Sequence, residues 1–254
     1  MSDPVLDADR ALVAALARAD AQASASLLDD QFNWIDGYGR VLSRDQLGGM
    51  KPLLGDENGL APIVHRYGDV VTVVVKGERQ YLLRVWVKRA AGWRLLVYHE
   101  VSQDVPVFGH GPGKKEWDNP CFTLPYEPRN DDERACLASW QALEVAVMRH
   151  LPDEWVKHVA DEFSLYAATR QLTKADRVAV IKEQLRSNAN SAPSPLVWNE
   201  MIDFPNAIVM RCEHQPFHGK ATRVSRVFVK RDGQWLMAVS FQTSRQDAPV
   251  KTIE

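Results

Sequence analysis

The chain has 254 residues, 45% of them hydrophobic and 25% charged, the composition of a globular protein able to bury one large core or two ordinary ones. With 31 Lys and Arg against 33 Asp and Glu the formal net charge is -2, so nucleic acid and anionic membrane surfaces are not expected partners. No apolar stretch approaches the roughly 20 residues needed to span a bilayer, and Met1-Ser2-Asp3-Pro4 does not read as the start of a secretory signal.

In chain order, the spacing of Leu12, Leu16, Ala19, Ala23 and Leu27 predicts a helix opening at Asp7. A short strand at 32–35 follows, then the turn DGYGR at 36–40, and a short helix after Ser43 that Gly48 and Gly49 weaken. Strands are predicted at 63–67, 70–76, 81–89 and 93–102, with Gly68-Asp69 and Ala91-Gly92 as turn signals. Residues 104–130, dense in Pro and Gly, read as a linker between a domain at 1–103 and a second at 131–254. The second domain starts with a helix at Asp131 carrying Cys136, Trp140, Leu143 and Val147, and Pro152 suits the first turn of a further helical segment. Thr173, with Asp176 three residues on, is the expected N-cap of another helix, and strands are predicted at 197–203, 207–213, 221–230 and 234–243.

The second half repeats the first. Trp93 and Trp235 are 142 positions apart, as are Arg84 and Arg226, and Lys88 and Lys230; Asp30-Gln31-Phe32 matches Asp161-Glu162-Phe163 at a separation of 131. The second copy inserts HQPFHGK at 214–220, and it has Phe241-Gln242 where the first has His99-Glu100.

Helices followed by a meander of strands make an α+β pattern. The run from Tyr67 to Ser102, with GDVV, LLRVWVKR and GWRLLVYHEVS, resembles the nuclear transport factor 2-like superfamily, specifically its SnoaL-like branch, written twice in tandem. The resemblance implies two cone-shaped α+β barrel domains, each a curved antiparallel sheet wrapped round helices with a pocket at its open end. It also implies pairing through the sheets, so that the tandem copies form an intramolecular pseudo-dimer; a further homodimer stays open. Relatives include isomerases, dehydratases, polyketide cyclases and non-catalytic association domains, so the fold alone settles no reaction.

Alternation along 95–101 sets Leu95, Val97, His99 and Val101 on one face and Leu96, Tyr98, Glu100 and Ser102 on the other. Should the valine face line the pocket, His99 is the proton carrier, with His65 or Tyr98 as partner. Arg84, on the face of Trp86, is the candidate for holding developing negative charge, or else a structural ion pair. Trp34, Tyr38 and Trp86 in the first copy, and Trp198, Arg211 and His218 in the second, are candidate substrate-binding residues. No metal site is expected. His214 and His218 have metal-like spacing on a loop with Pro216 and Gly219, and Cys121, Cys136 and Cys212 show no paired spacing. Nor is GHGPGKK at 109–115 a phosphate loop, since Phe108 and Lys115 stand where Gly and Ser or Thr belong. The expected function is a cytoplasmic, cofactor-independent acid–base lyase, dehydratase or isomerase acting on a small aromatic or polyketide-like molecule. A non-catalytic ligand-binding module or an interaction scaffold is the alternative.

Overall fold

The computed structural model describes residues 3–46, 52–55, 57, 59–106, 123–189 and 194–249, together with the backbone of 251–252. Gly48, Gly49, the 109–115 run and Cys121 fall outside the described residues. The chain divides into two compact units, Met1–Val105 and Pro106–Glu254. No described helix is long and apolar enough to cross a membrane.

In the first unit, helix α1 (Pro4–Ala17) starts with Asp3 accepting a hydrogen bond from Val5 N and with Pro4 in the first turn, where its missing N–H costs nothing. Its buried stripe is Val5, Asp9, Leu12 and Ala15, so a carboxylate sits among apolar positions. The single helix expected through Leu27 is instead two: Ala19 at φ 54 ends α1, and α2 (Ala21–Ser26) restarts under the Asp20 cap. Strands β1 (Leu28–Ile35), β2 (Val41–Ser43), β3 (Ile63–Tyr67), β4 (Val70–Lys76), β5 (Gln80–Arg89) and β6 (Gly92–Ser102) form one sheet in the order β2-β1-β6-β5-β4-β3. The sheet is mixed rather than purely antiparallel, because β1 returns from the helices to run parallel to β6. The short β2, which falls between the turn expected at 36–40 and the helix expected after Ser43, pairs with β1 at the sheet edge.

The second unit repeats these elements: α3 (Asp131–Met148), α4 (Pro152–Trp155), β7 (Val159–Ala167), β8 (Arg170–Thr173), α5 (Lys174–Arg186), β9 (Leu196–Phe204), β10 (Ala207–His214), β12 (Thr222–Arg231) and β13 (Gln234–Ser244). Its sheet order is β8-β7-β13-β12-β10-β9, with β7 parallel to β13. The inserted run contributes β11 (His218–Gly219), which pairs with β14 (Lys251–Thr252). The two copies keep a separation of 131 from α1 and α3 through β1 and β7, and even the left-handed residue recurs, as His150 at φ 54. Thr173 and Asp176 make the expected reciprocal capping box at the start of α5. Leu124 and Tyr126, within the stretch read as a linker, pack on the core of the second unit.

Each unit is thus an α+β domain with helices against one face of a six-stranded sheet, and the chain carries two in tandem. In the first, α1 packs its stripe against Trp34, Val73, Trp86, Leu95 and Tyr98; in the second, α3 packs Cys136, Trp140 and Leu143 against Phe163, Met210 and Phe228.

Candidate functional site

A β-bulge decides which side chains of β6 meet the helix. Residues facing each other across an antiparallel pair share a face. Val85 faces Val97, but Trp86 faces Leu95, so Leu96 is the extra residue and the alternation slips there. As a result Leu95 and Tyr98 lie on the same face, both in the core under α1. That face continues with Glu100, opposite Leu82, and with Arg84, opposite Tyr98.

His99 lies on the other face, opposite Leu83, and does not meet Arg84 or Tyr98 on the helix-facing side. It is fully buried, and burial pushes its pKa down to about 3, so it stays neutral across the physiological range. The expectation that the valine face lines the pocket is corrected accordingly. His65 faces Thr72 and lies on the His99 side, but β4 and β5 separate its strand from β6, a distance of roughly 14 Å at the usual strand spacing. The two imidazoles therefore do not stand on neighbouring strands.

Arg84 is on the helix-facing side and is already committed. Its Nε and Nη2 donate to Asp9 at 2.7 and 2.9 Å, and its Nη1 and Nη2 donate to Glu57 at 2.6 and 2.8 Å. Trp86 Nε1 also donates to Asp9, at 2.7 Å. Burial disfavours the charged guanidinium, but the Glu57 and Asp9 carboxylates more than offset it and raise its pKa. With two carboxylates on one guanidinium, Arg84 is structural in this arrangement, which is the second of the two roles open to it.

The group left for chemistry is Glu100. Its Oε1 accepts from Leu53 N at 2.6 Å and its Oε2 from Gly37 N at 3.3 Å. The chain between β2 and β3 comes back over this side of the sheet: a Cβ on Gly37 would lie 2.8 Å from Leu53 Cδ2. Burial pushes the Glu100 carboxyl up to about 7, against the two N–H donors, which favour its charge. Beside it stand two buried donors with no hydrogen-bond partner among the described residues, Trp34 Nε1 and Tyr98 Oη. Trp34 Nε1 is near enough to favour the Glu100 charge without standard hydrogen-bond geometry, and the two rings lie 4.2 Å apart between centroids. Burial raises the Tyr98 pKa well above its ordinary value, more than the nearby Arg84 charge lowers it, so the phenol keeps its proton.

Other candidates are dispersed. Tyr38 is exposed in the 36–40 turn, 5.7 Å under the Arg40 guanidinium. Trp198 is exposed beneath Arg223, Arg211 pairs with Glu200 on the neighbouring strand, and His218 is exposed on β11. Of the candidates, Trp34, Trp86, Tyr98 and Arg84 come together.

The second unit replaces nearly every polar member of this set. Trp140 stands 131 residues after Asp9, Phe228 stands at the place of Trp86, and Ser240 and Gln242 take the places of Tyr98 and Glu100 opposite Arg226 and Val224. Arg226, lacking the aspartate, turns to β10. Its Nη1 lies 2.9 Å from Cys212 Sγ, and Nη1 and Nη2 each lie 3.1 Å from His214 Nε2. His214 Nδ1 is 2.9 Å from the Ser194 carbonyl, which can only accept, so the proton is on Nδ1 and Nε2 accepts from Arg226.

No family model matches the chain, and no curated protein matches it. Solved structures are similar to it over less than half its length. An uncharacterised protein with a cystatin-like fold from Caulobacter vibrioides is 15% identical over 45% of this chain and 90% of its own, with a TM-score of 0.40. An NTF2-like protein from Cytophaga hutchinsonii is 16% identical over 45% of this chain and 98% of its own, with a TM-score of 0.37. A CamKII hub homology domain from Chlamydomonas reinhardtii is 13% identical, covering 45% and 98%, with a TM-score of 0.36. These are likenesses in the path of the chain alone.

Proposed function

We propose that the protein binds a small, largely apolar molecule in its first unit and transfers a proton on it, an isomerase, lyase or dehydratase step in which Glu100 carries the proton. The observation behind this reading is one buried carboxyl, held near pH 7 on the helix-facing wall, beside two neutral donors that make no hydrogen bond of standard geometry with a described residue. A carboxylate of that basicity can remove a proton from carbon next to a carbonyl or an aromatic ring. The negative charge then developing on oxygen needs donors that remain protonated, the part given to Tyr98 Oη–H and Trp34 Nε1–H. Trp34, Trp86, Leu82 and Leu95 make the surroundings apolar, which suits an aromatic or polyketide-like substrate and strengthens those hydrogen bonds. Arg84 and Asp9 act as the frame that fixes Tyr98 and Trp86 in place.

The test is deuterium exchange from heavy water into a panel of enolisable aromatic ketones, followed by NMR. Glu100→Gln installs the side chain that the second unit carries at position 242, and a fall in exchange of about 10²-fold or more is expected. Exchange at the wild-type rate in this variant contradicts the role of Glu100.

A further inference from the structure

One end of the second unit's interior is polar where the first unit is apolar. Arg226 faces Met210 and Met210 faces Met201, as Arg84 faces Val73 and Val73 faces Val64, so the two registers can be laid over each other. Two and four residues beyond Met210 stand Cys212 and His214, where the first unit has Val75 and Gly77. Two residues before Met201 stands Asn199, where the first unit has Pro62. The second copy has thus gained an amide, a thiol and an imidazole at one place in the fold.

These side chains meet beneath α3. Asn199 is opposite Cys212 across the β9–β10 pair, and residues so paired share a face. Cys212 and Met201 belong to the core on which α3 packs, so this face is the one turned to the helix. Cys212 Sγ lies 3.7 Å from His214 Nε2, and the His214 ring lies 6.1 Å from the ring of Trp140 on α3, between centroids. Asn199 is 6% exposed, and its Oδ1 and Nδ2 are both buried and bonded to no described residue; Trp140 Nε1 is in the same condition. A buried donor or acceptor left unpaired carries its full desolvation cost, and native interiors leave few of them.

Charge does not call for an ion at this place. Arg226 has the Glu144 carboxylate 3.8 Å from Nη2, His214 is neutral with Nε2 accepting, and burial keeps the Cys212 thiol protonated. What is unpaired is neutral and directional. An asparagine side chain sets N–H beside C=O in one plane, which matches the edge of another amide, N–H to Oδ1 and C=O to Nδ2. The Trp140 indole only donates, and so calls for a second acceptor on the same molecule. Met201, Met210 and Val224 keep the rest of this wall apolar.

We infer that the second unit binds a small neutral cyclic imide, or a lactam bearing a second carbonyl, with Asn199 pairing its amide edge and Trp140 donating to its other oxygen. The site shares no residue with the proton-transfer site proposed for the first unit, and neither depends on the other.

The test is an NMR titration of the full chain labelled with nitrogen-15, following the Trp140 indole resonance, assigned through its backbone. The probes are glutarimide and phthalimide, each beside its N-methyl form, which keeps the ring and both carbonyls but has no N–H. At least one imide is expected to shift the Trp140 indole saturably with Kd below roughly 1 mM, and its N-methyl form should bind at least tenfold more weakly because Asn199 Oδ1 is then left unpaired. Asn199→Leu should weaken the same imide at least tenfold while the urea midpoint does not fall, since the change removes two unpaired polar atoms from the interior. Absence of a saturable Trp140 shift with both imides overturns the inference. So does an N-methyl form that binds as tightly as its parent, a comparison made on the wild type and independent of how any variant folds. Binding by Asn199→Leu at the wild-type Kd overturns it too, as does a lower urea midpoint in that variant, which would mean that the amide is paired within the fold.

Discussion

Arg84 and Asp9 form a two-pronged ion pair, at 2.7 and 2.9 Å, between the middle of a strand and the buried stripe of the first helix. Asp9 also takes the Trp86 Nε1–H, so one carboxylate satisfies two buried groups. Removing it leaves a guanidinium with Glu57 alone and an indole N–H with nothing. Asp9→Ala is expected to cost about 3 kcal/mol of unfolding free energy, the low end for breaking a buried pair, because Glu57 remains. Urea denaturation measures this, and a loss below about 1 kcal/mol contradicts it.

Two neighbouring residues on β6 should pull the stability of the fold in opposite directions with pH. The folded pKa of Glu100 is raised from 4.5 to about 7, so its cost is absent below pH 4.5 and stability falls as pH rises toward 7. The folded pKa of His99 is lowered from 6.5 to about 3, so its contribution is intact above pH 6.5 and is lost as pH falls toward 3. The second unit supplies neutral replacements at both places, Phe241 and Gln242. Glu100→Gln should flatten the stability profile between pH 4.5 and 7, by about 3 kcal/mol at most, and His99→Phe should flatten it on the acid side. Chemical denaturation across pH checks both, and an unchanged acid limb in His99→Phe would count against the burial of that imidazole as its cause.

Tyr98→Phe separates structure from chemistry. The hydroxyl makes no hydrogen bond of standard geometry with a described residue, Arg84 being its nearest polar neighbour, so its removal should change stability by less than about 1 kcal/mol. Turnover should nevertheless fall by about 10²-fold, the usual loss for one donor to a developing oxyanion. A destabilised variant with undiminished turnover would assign Tyr98 to packing.

Thr173 accepts from Asp176 N, and Asp176 Oδ2 accepts in return from Thr173 N at 2.9 Å. Thr173→Ala should therefore cost about 1 kcal/mol. Urea denaturation measures this, and a loss below about 0.3 kcal/mol contradicts the capping role.

That cap was legible because two residues three positions apart, Thr173 and Asp176, encode it. The repeat was equally legible, since a separation of 142 carries the whole hairpin from Arg84 to Trp93 into the second copy without a gap. The inward face was not. Period-two reasoning from Leu95 to Val101 assumes an unbroken strand, and the extra residue at Leu96 reverses which side chains meet the helix. His99 thereby gave way to Glu100. Asp9 carried a signal that helical periodicity alone passes over: a carboxylate in a buried stripe demands a partner, and Arg84 was the one cation within the otherwise apolar run 81–87.

The proposed chemistry depends most directly on the protonation of Glu100. A carbon-13 NMR titration of the side-chain carboxyls of protein labelled at glutamate, run beside the Glu100→Gln variant, measures it. One carboxyl resonance with a midpoint near pH 7, missing from the variant, is the predicted result. If every glutamate titrates below about pH 5.5, the ordinary range for exposed carboxyls, Glu100 is not a proton carrier poised near neutrality and the proposed chemistry fails.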